Sequence, residues 1–358
     1  MAPNYFIWNP DPIFCHIRSI PIKWYSIFIL LAFLGGRQIA KYIYGETKRP
    51  IEDVESLSIW VLCSALIGAR LGEVLFYDFQ YYVNHPLEAL LPFRFTPQWT
   101  LLGYHGLSYH GALIGGAVGT YIYANYDIAL QLFPPRFRFK KQPRKGQNFL
   151  WLTTPVALGS MMGFLVRFGN LVNSEIVGAP TSAPFSVLFA HDIVEQLHQS
   201  ADSIEKVRIF SQDSPQEPTS LHRPITLEVV FKDTLLDEAT VRSTLENNIK
   251  QCLVNNPYVK EHLYERPGVP LKYSLHRTPQ RAYLAHIDTY GIPRHPVQLY
   301  ESMVYLTALI LLLYAWSGLH KQLSDGIIAA IAMIVCYGFR FIFEFFKEPF
   351  NVIFDGAV

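Results

Sequence analysis

Apolar residues run in six windows long enough to cross a bilayer, at 23–42, 57–79, 107–126, 149–171, 297–317 and 324–346. About 20 residues at a helical rise of ~1.5 Å match a hydrocarbon core of ~30 Å, so each window predicts a transmembrane helix. The second window carries Gly68, Arg70, Gly72 and Glu73. Such positions must face other helices or water, because lipid satisfies no polar group. Arg70 and Glu73, one turn apart, read as a buried structural pair. After the fourth window the pattern changes. Residues 179–293 are polar, proline-rich at 215–224, and without a spanning window. Ser203–Ser211 and Pro224–Phe231 alternate as strands do, Glu238–Val254 has helical spacing, and Leu271–His276 suits another strand. Glu246 and Lys250, at i and i+4, read as a solvated helix face. The predicted fold is a polytopic α-helical membrane protein with a small inserted α+β domain. Membrane helices occupy 1–178 and 294–358, and the soluble insertion occupies 179–293.

Charge orients the helices. Lys41, Lys48 and Arg49 follow the first window, Arg136, Arg138, Lys140, Lys141, Arg144 and Lys145 fill the 127–148 loop, and Lys321 follows the fifth. Basic loops stay on the cytoplasmic side. Alternation then puts the N-terminus, the 79–106 loop, the 179–293 domain and the C-terminus outside. Trp24, Tyr25, Tyr81, Tyr82, Trp99 and Tyr104 fit an interfacial aromatic belt. The chain opens without the features of a cleavable signal peptide, so the first window is expected to be a retained span.

Composition agrees with this picture: 50% of the 358 residues are hydrophobic and only 16% charged, with a formal net charge of +1. A near-neutral balance argues against nucleic acid as a partner, since phosphate binding leaves a basic excess. Cys15, Cys63, Cys252 and Cys336 have no paired spacing. They predict neither a disulfide framework nor a metal site, and read as small buried apolar residues.

The chemistry-bearing residues gather at the outer ends of the predicted helices. Arg167 opens the run Arg167-Phe168-Gly169-Asn170-Leu171-Val172-Asn173-Ser174-Glu175-Ile176-Val177-Gly178. A charge at membrane depth costs about 2.5–3.5 kcal/mol or more, so it marks either a functional site or helix-to-helix bonding. Further clusters are Trp24-Tyr25, Ser108 to Gly116 around His110, Arg294 to Glu301, and Arg340 to Pro349. Arginine's planar fork binds phosphate bidentately, so Arg167 and Arg340 suit a lipid phosphate and the charge developing on a phosphate leaving group. Glu344, one turn from Arg340, is placed to orient it. His110 is a candidate general base, because an imidazole titrates near neutral pH. Asn170 and Asn173 suit ester or glycerol oxygens, and Gly115 and Gly116 suit close helix packing.

Four of these segments together resemble the bacterial prolipoprotein diacylglyceryl transferase family. They are His-Gly-Ala-Leu-Ile-Gly at 110–115, the 167–178 run, His-Pro-Val-Gln-Leu-Tyr-Glu at 295–301, and Phe-Arg-Phe-Ile-Phe-Glu-Phe-Phe at 339–346. The resemblance covers most of 20–178 and 294–349, with Pro184–Phe189 as a further familiar segment. It implies transfer of the diacylglyceryl group of phosphatidylglycerol to the lipobox cysteine thiol of a prolipoprotein signal peptide, giving a thioether and glycerol phosphate. It implies no metal or soluble cofactor, and residence in the bacterial inner membrane with the 179–293 domain on the periplasmic side. The roles it suggests are His110, Arg167 and Arg340 in catalysis, with Tyr25, Asn170, Asn173, Glu175, Gly178, His295, Glu301 and Glu344 binding substrate or orienting these groups.

The chain departs from the family pattern in five respects. Val166 stands where a glycine precedes the signature arginine. Cys336, with Tyr337 beside it, replaces a tyrosine, and Lys347 replaces an arginine. The 179–293 domain is longer than usual. Members also continue into a seventh span, which does not follow the sixth window here. Two other classes fit the same arginines: a transporter for an anionic lipid, which would need a polar path to the cytoplasm and inverted repeats, and an inactive lipid-binding scaffold.

Overall fold

The computed structural model describes residues 5–17, 20–90, 93–94, 100–101, 107–131, 136–144, 146–212, 221–232, 237–279 and 282–347. Five helices are long and apolar enough to cross a membrane: Trp24–Glu46, Glu52–Phe76, Phe149–Val172, Val297–Leu319 and Ile327–Glu344. The protein is therefore a polytopic α-helical membrane protein. The 107–126 window does contain a helix, Tyr109–Asn125, but its 17 residues leave it shorter than those five. Trp99 and Tyr104 of the expected aromatic belt lie outside the described residues.

The chain divides into two compact units. One comprises 30–163 and 305–337; the other comprises 1–29, 164–304 and 338–358.

In the first unit the Glu52–Phe76 and Tyr109–Asn125 helices meet through glycines. A Cβ on Gly68 would strike the Gly111 carbonyl, and one on Gly72 would lie 2.9 Å from the Gly111 Cα. Without side chains at these positions the two backbones come into direct van der Waals contact, the usual means of helix association where lipid removes the hydrophobic driving force. Ser108 caps the second helix by accepting the Gly111 amide at 3.1 Å. The segment expected to be a basic loop instead contains an antiparallel hairpin, Tyr126–Gln131 with Arg136–Lys141. Arg70 donates to the carbonyls of Ala89 at 2.9 Å and Glu88 at 2.5 Å, so it anchors the short Pro86–Leu90 helix to its own. Cys63 is exposed, contrary to the expectation of a buried apolar thiol.

The second unit holds a five-stranded antiparallel sheet. Tyr283–Gly291 pairs with Arg223–Phe231, Tyr273–Arg277 and Leu263–Tyr264, and Ile204–Ser211 adds to the outer edge of Arg223–Phe231. Strict alternation buries Ile225, Leu227, Val229 and Phe231 on one strand and Tyr283, Ala285 and Ile287 on its neighbour. Ile193 and Leu197 of the His191–Ser200 helix, with Val241, Leu245, Ile249 and Leu253 of the helical run from Glu238 to Asn255, cover that face. Each fully buried aliphatic side chain contributes about 1.5–3 kcal/mol. Lys250 leaves the predicted solvated face: it pairs with Glu265 at 2.6 Å in largely buried surroundings, while Glu246 accepts the Tyr273 hydroxyl. The N-terminal strand Tyr5–Trp8 runs parallel to Ser186–Phe189.

Candidate functional site

A broken helix delivers Arg167. The Phe149–Ser160 segment, with Pro155 inside it, passes through a tight turn at Met161–Gly163 and resumes as Phe164–Val172. Arg167 Nε lies 2.7 Å from Glu301 Oε2, whose side chain is only 2% exposed. Lys347 Nζ stands 3.3 Å from the other oxygen of Glu301 and 3.2 Å from Glu344. One buried carboxylate therefore serves two cations. Arg340 lies one turn before Glu344 on the Ile327–Glu344 helix.

The loop that follows Arg167 is fixed by its own backbone. The Asn173 amide donates to Gly169 O and the Glu175 amide to Asn170 O, both at 2.9 Å, while Gln298 Nε2 donates to Glu175 O at 2.5 Å. Asn173 Nδ2 reaches Glu175 Oε1 at 3.2 Å. Ser174 and Ile176 take left-handed backbone angles, φ 58° and 57°. For a β-branched isoleucine this is costly, about 1–3 kcal/mol, and such strain concentrates at functional loops. Asn173 Oδ1 and Ser174 Oγ are buried without a hydrogen-bond partner among the described residues.

Gly178 closes the loop where three chain segments converge. Its amide donates to His295 O at 3.0 Å, its carbonyl accepts Arg294 Nη1 at 3.0 Å, and the next amide, Ala179, donates to Phe346 O at 2.8 Å. A Cβ here would lie 2.6 Å from His295 O and 2.7 Å from Phe346 O, so no larger residue fits. His295 packs edge-on against Phe346, and its Nδ1 lies 3.3 Å from the Tyr300 hydroxyl. Burial pushes the His295 imidazole below its ordinary range, because the charged form loses solvation. Tyr25, in the first turn of Trp24–Glu46, lies against Gly169, whose Cβ would meet its ring at 3.0 Å.

Tyr25, Arg167, Asn170, Asn173, Glu175, Gly178, His295, Glu301, Arg340 and Glu344 thus belong to one unit. His110 belongs to the other. It is exposed in the first turn of Tyr109–Asn125, and its ring neighbour is Tyr109 at 6.0 Å. Three further residues were not among the predicted site residues. Arg294, 3% exposed, and Gln298, 1% exposed, hold the signature loop through its carbonyls. Lys347 holds Glu301. All three lie inside the polar clusters, but a sequence motif does not distinguish a residue that meets substrate from one that meets backbone.

A family model described as prolipoprotein diacylglyceryl transferase matches residues 12–356. Curated relatives called phosphatidylglycerol–prolipoprotein diacylglyceryl transferase match in several bacteria. The relative from Chloroherpeton thalassium is 30% identical over 52% of this chain and 60% of its own length. That from Wolinella succinogenes is 31% identical over 53% and 64%, and that from Bacteroides fragilis 28% identical over 53% and 64%. The chain thus spans roughly three-fifths of the length of the relatives it matches.

Proposed function

This chain belongs to the prolipoprotein diacylglyceryl transferase family, and from that premise we propose that it transfers the diacylglyceryl group of phosphatidylglycerol to the lipobox cysteine of prolipoproteins. The observation that carries the reading is the buried Glu301, whose Oε2 forms an ion pair with Arg167 on the Nε side of the guanidinium, 2.7 Å away. That contact leaves the guanidinium's Nη pair to meet a phosphate bidentately. A lipid phosphate at this level would also draw on Arg340, while Asn170 and Asn173 face the glycerol and ester oxygens and Tyr25 the acyl region.

The reaction needs a thiolate. His110 takes the proton from the cysteine sulfur, and the thiolate attacks the glycerol carbon that carries the phosphate ester. A C–S bond forms, the C–O bond breaks with its electron pair going to the phosphate oxygen, and glycerol phosphate departs. Arg167 and Arg340 stabilise the charge gathering on that oxygen. The exposure of His110 suits a base that must reach an incoming peptide. We further propose six spans, counting Tyr109–Asn125, because 17 helical residues extend ~26 Å, close to the hydrocarbon thickness. The protein would sit in the inner membrane with the 179–293 domain periplasmic, by the basic residues of the 127–148 segment.

The test uses purified protein in phosphatidylglycerol vesicles with a lipobox peptide, read by mass spectrometry for the added diacylglyceryl group. Modification by the parent protein, lost in Arg167→Ala and reduced in His110→Ala, is expected. No modification by the parent protein would favour a lipid-binding scaffold, and lipid movement without modification would favour a transporter.

A further inference from the structure

The basic segment after the Tyr109–Asn125 helix carries charge that the transfer reaction does not use. Residues 136–145 include six basic side chains and no acidic one. The structure mounts part of this charge on an amphipathic hairpin. Tyr126–Gln131 starts at the residue after the helix, and its return strand is Arg136–Lys141. Both feet are fixed to the last helical turn: the Tyr126 amide donates to Ile122 O, while the Gln142 amide donates to Asn125 O and the Arg144 amide to Ala124 O, both at 2.9 Å. Arg144 Nε adds a bond to Tyr123 O at 3.0 Å, and its guanidinium lies over the Tyr123 ring. The hairpin is thus tied to the end of its helix.

Register sorts the side chains. Residues opposite one another share a face, and neighbours along a strand alternate. Tyr126 pairs with Lys141 and Ile128 with Phe139, so one face is aromatic and aliphatic with a lysine at its margin. The Tyr126 and Phe139 rings stack there at 4.7 Å, and Phe139 is still 54% exposed. Asp127 pairs with Lys140, and Arg138, two residues before Lys140, falls on the same side. Arg138, Lys140 and Lys141 are all exposed, and none makes an ion pair among the described residues, although Asp127 stands directly across from Lys140. Exposed apolar rings beside unpaired cations call for an apolar phase and for anionic groups together, and the edge of an anionic bilayer supplies both.

We propose that this hairpin lies on the bilayer surface and binds anionic phospholipid headgroups. Tyr126, Ile128 and Phe139 turn to the acyl boundary, while Arg138, Lys140 and Lys141 reach the surrounding phosphates, as long basic side chains do at an interface. Its placement at the cytoplasmic leaflet rests on the span and the orientation proposed above. Position favours lipid over a soluble polyanion: the hairpin begins where its helix ends, so headgroups are its nearest source of negative charge. Being tied to the helix, the hairpin holds at a fixed depth the element whose first turn carries His110.

The experiment is native mass spectrometry of the full-length protein in detergent, titrated with phosphatidylserine and with phosphatidylcholine, neither of which is the proposed transfer substrate. Phosphatidylserine should be retained at least about tenfold more tightly. Raising the salt from about 0.1 M to about 1 M, which shortens the Debye length from about 10 Å to about 3 Å, should remove most of that preference. A triple variant, Arg138→Gln with Lys140→Gln and Lys141→Gln, changes only exposed side chains and should lower phosphatidylserine retention at least about tenfold. Arg138→Lys, which keeps the charge, and Arg167→Ala, in the other unit, should leave it near the parent value. Equal retention of the two lipids by the parent protein, which would leave the basic face to a soluble anionic partner, or a triple variant that retains phosphatidylserine as the parent does, would overturn the proposal. The readout involves no turnover, so a protein without transfer activity would still give the expected result.

Discussion

The two units solve the same problem, joining helices in an apolar solvent, by opposite means. In one, Glu52–Phe76 and Tyr109–Asn125 meet backbone to backbone at Gly68, Gly72 and Gly111, with side chains removed from the contact. In the other, three helices are joined by charge: Arg167 and Lys347, both half-buried, meet on the buried Glu301, and the loop beside them is tied through Gly178. Glycine packing depends on the absence of atoms and tolerates no addition. A buried ion network depends on the presence of each member and tolerates no subtraction. The second arrangement is the more costly, because desolvating charges consumes most of their attraction. A fold with the first solution at hand has reason to use the second only where the charges themselves are needed.

That contrast can be broken most sharply at Glu301. Glu301→Gln leaves Arg167 and Lys347 facing each other without their shared carboxylate, and should cost about 3–5 kcal/mol. Denaturant or thermal unfolding in detergent checks this, and transfer should fall by more than about 100-fold, since ~1.4 kcal/mol is tenfold. Next comes Gly111→Val. Overpacking the Gly68 carbonyl should cost about 1–3 kcal/mol and lower Tm, while phosphatidylglycerol binding by any protein that folds stays near the parent value. Lys347 gives a graded pair: Lys347→Arg, which restores the commoner family residue, should keep transfer within a few-fold, whereas Lys347→Ala should lower it about tenfold by loosening Glu301. If the two variants behave alike, the ammonium does not hold the carboxylate.

The smallest effect is a pH dependence. Burial lowers the folded His295 value below its unfolded value of about 6.5. The neutral form is then the stable one. Its contribution is fully present above pH ~6.5 and is lost as pH falls toward the lowered folded value. A Tm profile should decline below pH ~6.5, and His295→Gln should flatten that part of the decline.

The sequence made parts of both units legible for different reasons. Helices announce themselves by length and apolarity, so five of the six predicted windows coincide, within a few residues at each end, with helices long and apolar enough to cross a membrane. Glycine packing was anticipated in the right region: Gly115, read as a packing residue, does lie against Gly68. In the sheet, Ile204–Ser211 and Arg223–Phe231 followed their alternation, yet Tyr283–Gly291, the strand at the sheet's centre, was passed over although it alternates as cleanly. Tyr5–Trp8 could not be seen locally, because its partner Ser186–Phe189 lies some 180 residues away. At the site, the motifs name residues and say nothing of how they pair. Glu344, named as a partner for Arg340, forms an ion pair with Lys347, a contact that the motif does not reveal. Glu301, one of eight residues assigned to binding or orientation, turned out to sit between two cations.

The central claim is that Glu301 holds Arg167 by one edge so that its fork can take a lipid phosphate. Equilibrium binding of phosphatidylglycerol and of uncharged diacylglycerol to the parent protein and to Arg167→Lys tests it most directly. The account predicts that the lysine variant, which keeps the charge but loses the fork, binds phosphatidylglycerol at least about tenfold more weakly while diacylglycerol binding is unchanged. Equal phosphatidylglycerol binding by both proteins, or an equal loss for both lipids, would contradict it.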